Sequence, residues 1–225
     1  MTQSGYSGKK PYVFCDFDGT ITAQESLQAV FEEFVPEKWQ DMKQKLVSGS
    51  VTLRSGVREM IESIPSQRYQ EVLSFVRQIP LRAGFEEFLD FLDQSGIPFV
   101  VVSGGVRGMV EAGLGPLIKR ANHVFAADVD ASGAYLKVHS DFEGGKELVA
   151  KVEVMKLFDT DLRIVIGDGM TDYNMARNAD IVFARSSLAR YLEKSGIDLI
   201  RWEDFNDIRK ELKQRLGKGL LCLKS

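Results

Sequence analysis

The sequence is poor in the residues that build disulfide frameworks and zinc sites, and it has no long apolar run. Only two cysteines, Cys15 and Cys222, and two histidines occur among 225 residues. Two cysteines so far apart do not form a disulfide framework, so we expect a protein of the reducing cytoplasm. Because no apolar stretch approaches the roughly 20 residues of a membrane-spanning helix, we expect no membrane partner.

Charge of one sign is not in excess either. The chain has 29 lysines and arginines against 32 aspartates and glutamates, which gives a formal net charge of -3. A nucleic-acid-binding protein needs basic residues clustered on one face, and the sequence has no such cluster. We therefore expect no nucleic-acid partner. We expect a small-molecule ligand, and a chain that acts as a monomer or a homodimer.

Short apolar segments alternate with helical patterns along most of the chain. This alternation predicts an α/β fold, with a parallel sheet covered by helices on both faces. The segment DVDASGAYLKV breaks the alternation, and its Ser132-Gly133 pair predicts a β-hairpin. The predicted strands occupy residues 12–14, 99–102, 124–126, 163–166, 181–183 and 199–202.

Residues 24–80 differ from the rest because they carry helical patterns and no good strand. Prolines mark the boundaries between these patterns, and Thr52 and Ser66 are predicted to cap helix N-termini. We interpret this stretch as a helical cap subdomain, inserted into a core domain formed by residues 1–23 and 81–225. The helical patterns cover residues 26–34, 37–46, 52–64 and 67–78.

Polar clusters follow three of the predicted strands. The carboxyl ends of parallel strands meet at one edge of a sheet, where ligands bind, so these clusters are expected to converge. Up to four carboxylates would then crowd together, which requires a cation, and hard oxygen donors with few histidines indicate Mg²⁺. The clusters are Asp16-Phe-Asp18-Gly-Thr20, Ser103-Gly104-Gly105 and Gly167-Asp168-Gly169-Met-Thr171-Asp172.

This arrangement suggests chemistry on a phosphate group. A carboxylate can attack phosphorus and form an aspartyl phosphate. Ser103 and the amides of Gly104 and Gly105 lie where a helix begins, which is a suitable cradle for a phosphate. A lysine would balance the charge of the transferred phosphoryl group. Both Lys151, which precedes an amphipathic helix, and Lys146 are candidates for that lysine.

These motifs resemble those of the haloacid dehalogenase (HAD) superfamily over nearly the whole chain. DFDGT resembles its nucleophile motif, VVSGG the second motif, Lys151 the third and GDGMTD the fourth. The resemblance implies a Rossmann-like core with a helical cap, and hydrolysis of a phosphate ester of a small metabolite. It implies that Asp16 attacks phosphorus and that Asp18 transfers protons.

The same resemblance implies where the cofactor and the phosphate are bound. Mg²⁺ would be held by Asp16, the backbone carbonyl of Asp18 and Asp168, with Asp172 supporting. The phosphate would be held by Thr20, Ser103 and Lys151. A carboxylate at Asp18 also favours phosphate esters over halogenated substrates, because a leaving alkoxide needs a proton.

Two groups within the superfamily remain open. In phosphoserine phosphatases an acidic residue like Glu25 meets the substrate amine, but their cap arginine aligns here with Gly56. The segments FVPEKWQDMKQKL and SGVREMIESIPS, including Trp39, resemble the cap of methionine-salvage phosphatases that act on 2-hydroxy-3-keto-5-methylthiopentenyl-1-phosphate. A non-catalytic phosphate-binding module on this scaffold, or a phosphotransferase, are the alternatives of another class.

Overall fold

The computed structural model describes residues 9–216 of the chain. Within that range a seven-stranded sheet has the order β4-β3-β2-β1-β5-β6-β7, so the first strand lies at its centre. Neighbouring strands run parallel except β3 and β4, which form an antiparallel hairpin. The strands are β1 (Pro11–Cys15), β2 (Phe99–Val106), β3 (His123–Asp130), β4 (Lys137–His139), β5 (Leu162–Gly167), β6 (Ile181–Ala184) and β7 (Ile200–Arg201). The predicted α/β fold and its hairpin are confirmed.

Helices connect the strands and cover both faces of the sheet. The α-helices are α1 (Ser26–Phe34), α2 (Pro36–Ser48), α3 (Leu53–Ile61), α4 (Tyr69–Val76), α5 (Phe85–Ser95), α6 (Arg107–Leu114), α7 (Lys151–Met155), α8 (Tyr173–Arg177), α9 (Ser186–Lys194) and α10 (Phe205–Leu216). Side chains of β1 alternate between the faces, as in any strand. Val13 and Cys15 pack towards α5 and α10, while Phe14 packs towards α7, α8 and α9.

The stretch between β1 and β2 begins with four helices, α1 to α4. Thr52 caps α3 as predicted, because its hydroxyl accepts a hydrogen bond from the Ser55 amide at 3.1 Å. The prediction for Ser66 is wrong. Ser66 is the first residue of a short 3₁₀ turn, its amide donates to Ala134, and its buried hydroxyl has no partner. The division into a core and a cap at residues 24 and 80 stays a prediction.

The hairpin at the edge of the sheet packs against α3 and the residues that follow it. The amide of Leu136 donates to the carbonyl of Ile64 at 3.1 Å, and the amide of Ser66 donates to Ala134 at 3.0 Å. Leu136 and Val138 are buried in the same hydrophobic cluster as Met60. The hairpin therefore joins the helical segment to the edge of the sheet.

No helix within residues 9–216 has the length and apolar character needed to cross a membrane. Cys15 is a buried free thiol, and burial is the main cause of its raised pKa. Cys222 lies outside the described residues.

Candidate active site

The carboxyl ends of β1, β2 and β5 meet at one edge of the sheet. Cys15, the last residue of β1, lies beside Val101 of β2 and Ile166 of β5. Asp16 therefore emerges beside the end of β5 and beside the part of β2 that carries Ser103, Gly104 and Gly105. The register of the sheet thus brings the three polar clusters of the sequence together, at the edge where parallel sheets bind ligands.

A buried lysine binds the Asp16 carboxylate. Lys151 Nζ lies 2.5 Å from Asp16 Oδ1 and 2.7 Å from Asp172 Oδ1. Only 1% of the Lys151 side chain is exposed. Burial alone would lower the pKa of Lys151, but the two carboxylates outweigh burial and raise it, so the ammonium group stays charged. Lys146 is exposed on the loop before α7.

Three buried aspartates, Asp16, Asp168 and Asp172, form an acidic cluster. One oxygen atom from each lies within 4.8 Å of the others. Lys151 neutralises one of the three charges, so two negative charges remain to be balanced. Carboxylates are hard oxygen donors of the kind that bind Mg²⁺ and similar cations. The charge and the donor atoms of the cluster therefore fit a divalent metal ion.

Burial and mutual repulsion raise the pKa values of this cluster. Burial, followed by the charge of Asp172, raises the pKa of Asp16 well above its usual range, although Lys151 opposes the shift. Burial and Asp172 raise the pKa of Asp168 to about 6, against a hydrogen bond from Thr20. A divalent cation bound here would favour the ionised carboxylates and offset both shifts.

The Asp172 carboxylate is hydrogen-bonded to Lys151 and to the backbone that follows β5. Its Oδ1 accepts from Lys151, and its Oδ2 accepts from the amides of Asp168 at 3.0 Å and Gly169 at 3.1 Å. Both oxygens therefore have protein donors. This arrangement agrees with a supporting role for Asp172 and leaves Asp16 and Asp168 better placed to bind a cation.

A sharp turn at Gly19 carries the chain away from β1. Gly19 has φ +75°, and a Cβ atom there would lie 2.8 Å from both Asp168 Oδ2 and Glu25 Oε1. Its amide donates to Thr22 Oγ1 at 2.9 Å. In a trans peptide the carbonyl points opposite to the following N–H, so the carbonyl of Asp18 faces away from Thr22. Only glycine satisfies both the backbone angle and the space at this position.

The side chain of Asp18 is held by donors from two elements. Its Oδ1 accepts hydrogen bonds from the Ser26 hydroxyl and, at 3.1 Å, from the amide of Leu27, both in the first turn of α1. Its Oδ2 accepts from the Ser103 hydroxyl at 3.0 Å. The Gly105 amide in turn donates to Ser103 Oγ at 2.9 Å. Ser26 lies outside the sequence motifs.

Arg82 is a second residue that the motifs did not reveal. Its guanidinium donates to the carbonyl of Gly19 at 2.5 Å, to Thr20 at 2.8 Å and to Thr22 at 3.1 Å. The same group lies over the Trp202 ring, 5.4 Å from its centroid. One arginine thus holds the turn that follows the predicted nucleophile. Its position just after the predicted cap is the only sign of this role in the sequence.

Thr20 and Glu25 both reach Asp168. The hydroxyl of Thr20 donates to Asp168 Oδ1 at 3.2 Å. Glu25 keeps more than a third of its surface exposed, but its carboxyl group reaches down to Asp168 beside Gly19. Desolvation of that end, together with the charges of Asp168 and Asp18, raises the pKa of Glu25 to about 8. Glu25 therefore lies beside the acidic cluster, and its assignment to a substrate amine stays a prediction.

Trp39 and Gly56 have the contacts of residues that pack the helical segment. Trp39 is buried against Phe31, with ring centroids 5.3 Å apart. A Cβ atom at Gly56 would lie 3.1 Å from both Met42 and Leu46, so this glycine allows α3 to approach α2 closely. Their assignment to substrate binding stays a prediction. Gly104 lies beside Thr171, at the rim of the acidic cluster.

The two arginines nearest to Gly56 are bound by one glutamate. Arg58 Nη2 lies 2.6 Å from Glu143, and Arg54 Nε lies 3.6 Å from the same carboxylate. Arg58 also donates to the carbonyl of Val138 at 2.6 Å. Arg54 and Arg58 are therefore both directed to the loop that follows the hairpin.

The fold and these motifs define a class of hydrolases. A sequence model of haloacid dehalogenase-like hydrolases matches residues 13–177, which include every residue of the acidic cluster. The chain therefore belongs to this family, and the predicted resemblance is confirmed.

Two proteins of similar sequence indicate which group within the family this chain resembles. A 2-hydroxy-3-keto-5-methylthiopentenyl-1-phosphate phosphatase from Microcystis aeruginosa (strain NIES-843) is 43% identical over 202 residues, covering 89% of this chain and 96% of the relative. A protein of the same name from Bacillus cereus (strain ZK / E33L) is 34% identical over 216 residues, covering 92% and 98%. Both agree with the predicted resemblance to methionine-salvage phosphatases.

Solved structures share the fold at lower sequence identity. A phosphoserine phosphatase from T. onnurineus matches with a TM-score of 0.69 and 19% identity, covering 91% of this chain and 94% of that one. A phospho-aspartyl intermediate analogue of phosphoserine phosphatase matches with a TM-score of 0.66 and 20% identity, covering 90% and 98%. These structures support the fold and do not by themselves indicate the substrate.

Proposed function

We propose that this protein hydrolyses a phosphate monoester through a phosphorylated Asp16. The observation that carries the proposal is the buried contact of Asp16 with Lys151, beside Asp168 and Ser103 at one edge of the sheet. A carboxylate oxygen of Asp16 attacks phosphorus, and the phosphoryl group is transferred to Asp16 as its bond to the ester oxygen breaks. Water then attacks the aspartyl phosphate, which releases inorganic phosphate and regenerates Asp16.

The neighbouring groups bind the transferred phosphoryl group. Lys151 supplies a fixed positive charge next to the reacting carboxylate. Ser103 and the amides of Gly104 and Gly105 lie in the last part of β2, and Thr20 adds a hydroxyl from the nucleophile turn. The Ser103 and Thr20 hydroxyls donate here to Asp18 and Asp168, and the Gly105 amide donates to Ser103 Oγ, so these donors would turn to a bound phosphoryl group. Donors held at the site stabilise the charge on the phosphoryl oxygens in the transition state.

Asp18 transfers the protons of both steps. In the first step the Asp18 O–H bond breaks, and the proton goes to the ester oxygen as its bond to phosphorus breaks. In the second step Asp18 takes a proton from the attacking water as the bond between phosphorus and Asp16 breaks. Asp18 is placed for both steps because it lies two residues from the nucleophile, beside Ser103.

We propose Mg²⁺ as the divalent metal ion, held by Asp16, Asp168 and the carbonyl of Asp18, with Asp172 supporting. When bound, such an ion polarises the phosphoryl group and neutralises negative charge. The orientation of the Gly19 amide towards Thr22 supports this assignment, since it turns the Asp18 carbonyl the opposite way.

For the substrate we propose 2-hydroxy-3-keto-5-methylthiopentenyl-1-phosphate. The names of the relatives at 43% and 34% identity support it. The contacts of Arg54 and Arg58 with Glu143 support it as well, because arginines bound in this way are not available to pair with the carboxylate of phosphoserine. The alternative substrate, phosphoserine, is favoured only by fold neighbours of about 20% identity.

Steady-state kinetics with both substrates tests this assignment. A substrate carboxylate that has no cationic partner in the site loses roughly 1.5–3 kcal/mol of binding free energy. The kcat/KM for phosphoserine should therefore be at least about tenfold lower than that for 2-hydroxy-3-keto-5-methylthiopentenyl-1-phosphate. A clear preference for phosphoserine would reject the assignment while leaving the phosphatase proposal intact. Release of no phosphate from a panel of phosphate esters, with Mg²⁺ present, would instead indicate the non-catalytic binding module.

Phosphate appearing on an added alcohol rather than in water would indicate a phosphotransferase.

A cytoplasmic location is also part of the proposal, and the buried free thiol of Cys15 supports it. The monomeric or dimeric state stays an expectation.

A further inference from the structure

The first turn of α1 lies directly against the carboxylate that is proposed to transfer protons. Ser26 is fully buried, and its hydroxyl donates to Asp18 Oδ1. The amide of Leu27 donates to the same oxygen at 3.1 Å. Two of the three donors to Asp18 therefore belong to the helical segment predicted as the cap, and the third, Ser103, belongs to the sheet.

These donors make the two oxygens of Asp18 different. Oδ1 accepts both bonds from α1, while Oδ2 accepts one bond from the Ser103 hydroxyl at 3.0 Å. A carboxylate oxygen has two lone pairs, so Oδ1 is saturated and Oδ2 retains one. The oxygen with the remaining lone pair faces Ser103, which is the side of the proposed phosphate site.

We propose that Ser26 is a positioning residue for Asp18, which fixes the carboxylate so that Oδ2 exchanges the proton with the leaving oxygen and with water. The proposal rests on the proposed function, in which Asp18 is the proton-transfer group. Ser26, the first residue of α1, would then affect proton transfer through its hydrogen bond to Asp18. An active site formed without α1 in place would bind phosphate but protonate the leaving oxygen poorly.

Substrates with different leaving groups separate this role from a structural one. An alkyl phosphate leaves as an alkoxide that needs a proton, whereas p-nitrophenyl phosphate leaves as a stable phenolate that needs almost none. The comparison uses kcat/KM, which reports the steps up to release of the leaving group and not the later hydrolysis that both substrates share. Ser26→Ala should lower kcat/KM for the alkyl substrate by about tenfold or more, a part of the roughly 10²–10⁴-fold that general acid catalysis contributes. It should change kcat/KM for the aryl substrate by less than about threefold. Ser26→Thr, which keeps the hydroxyl, provides a test of rescue.

Two matched variants provide the references for this comparison. Ser74 lies exposed on α4, where its hydroxyl donates to the carbonyl of Gln70 at 2.8 Å, and Ser74→Ala should leave both rates unchanged. Asp18→Asn should show the same selective loss as Ser26→Ala. In the Asp18→Asn background, Ser26→Ala should cause no further loss, because both changes act through one group.

The result that would overturn the proposal is an equal loss with both leaving groups, no loss with either, or full additivity in the double variant. The proposed function fails separately: wild-type protein would then release phosphate from neither substrate, or Asp16→Asn would remain fully active.

Discussion

At the scale of single residues, Lys151 is the lysine that contacts the Asp16 carboxylate. Lys151 could not be chosen over Lys146 from the sequence, because both precede the same helix and either could be a solvated surface residue. The register of α7 decides between them by placing one ammonium group between Asp16 and Asp172. Such a choice depends on tertiary packing, which one sequence does not show.

Replacing Lys151 should abolish most of the activity. Lys151→Met removes the cation beside Asp16, and losing one preorganised donor typically costs about 10²–10³ in kcat. Lys146→Met is the matched control, since Lys146 is exposed, and it should stay within about twofold of wild type. Steady-state kinetics on both variants checks this, and equal effects would contradict the assignment.

The left-handed turn at Gly19 gives a second prediction at this scale. Gly19→Ala places a methyl group against Asp168 and Glu25 and should reduce activity by at least about tenfold, since distortions of this size in an active site cost of order 10²-fold. Gly49 has a similar φ of +71° at the end of α2 but no atom within 4 Å of the added Cβ. Gly49→Ala should therefore cost only about 1–2 kcal/mol of stability and no activity.

Thermal unfolding and turnover of these two glycine variants provide the measurement. If Gly49→Ala lost as much activity as Gly19→Ala, the close approach to the carboxylates would not explain the requirement for glycine.

At the scale of elements, strands and most helices were predictable because hydrophobic periodicity reports them directly. The polar clusters follow predicted strands, so their convergence at one edge of the sheet was predictable. Arg82 and Ser26 were not, because each acts through a contact between segments. Arg82 reaches back from the residues after α4 to carbonyls at the turn after β1. Ser66 is not a cap because Pro65, and not Ser66, precedes the 3₁₀ turn, a one-residue shift of the helix start that the sequence pattern does not resolve.

Removing the Arg82 guanidinium should loosen the nucleophile turn. Arg82→Ala deletes bonds to the carbonyls of Gly19, Thr20 and Thr22, and each hydrogen bond from a charged donor contributes about 1.5–3 kcal/mol. The variant should have a lower melting temperature and a lower kcat. Arg120→Ala is the control, because Arg120 pairs at the surface with Asp90 and Asp93, and such pairs contribute about 0–1 kcal/mol. Equal melting temperatures for the two variants would contradict the role of Arg82.

At the scale of the whole molecule, the acidic cluster links metal binding to stability. Lys151 balances only one of the three carboxylates buried at this edge of the sheet, so a divalent cation that binds there only in the folded state should raise the melting temperature. Titration with Mg²⁺ should raise the melting temperature of wild-type protein, and a chelator should reverse the rise and abolish turnover.

Asp168→Asn should remove most of this metal-dependent stabilisation, because it deletes one of the two best-placed ligands. Asp159→Asn is the matched control, since the Asp159 side chain is fully exposed and should respond to Mg²⁺ as wild type does. A rise of the same size in Asp168→Asn would place the metal elsewhere. Scanning calorimetry with and without Mg²⁺ distinguishes these outcomes.

The central claim is that Asp16 carries the phosphoryl group between the substrate and water. The most direct measurement is an acid quench during turnover of a radiolabelled phosphate ester, followed by mapping of the label on the protein. We predict label on the peptide that contains Asp16, and none in Asp16→Asn, which should also lack turnover. Label on another residue, or full turnover by Asp16→Asn, would contradict the account.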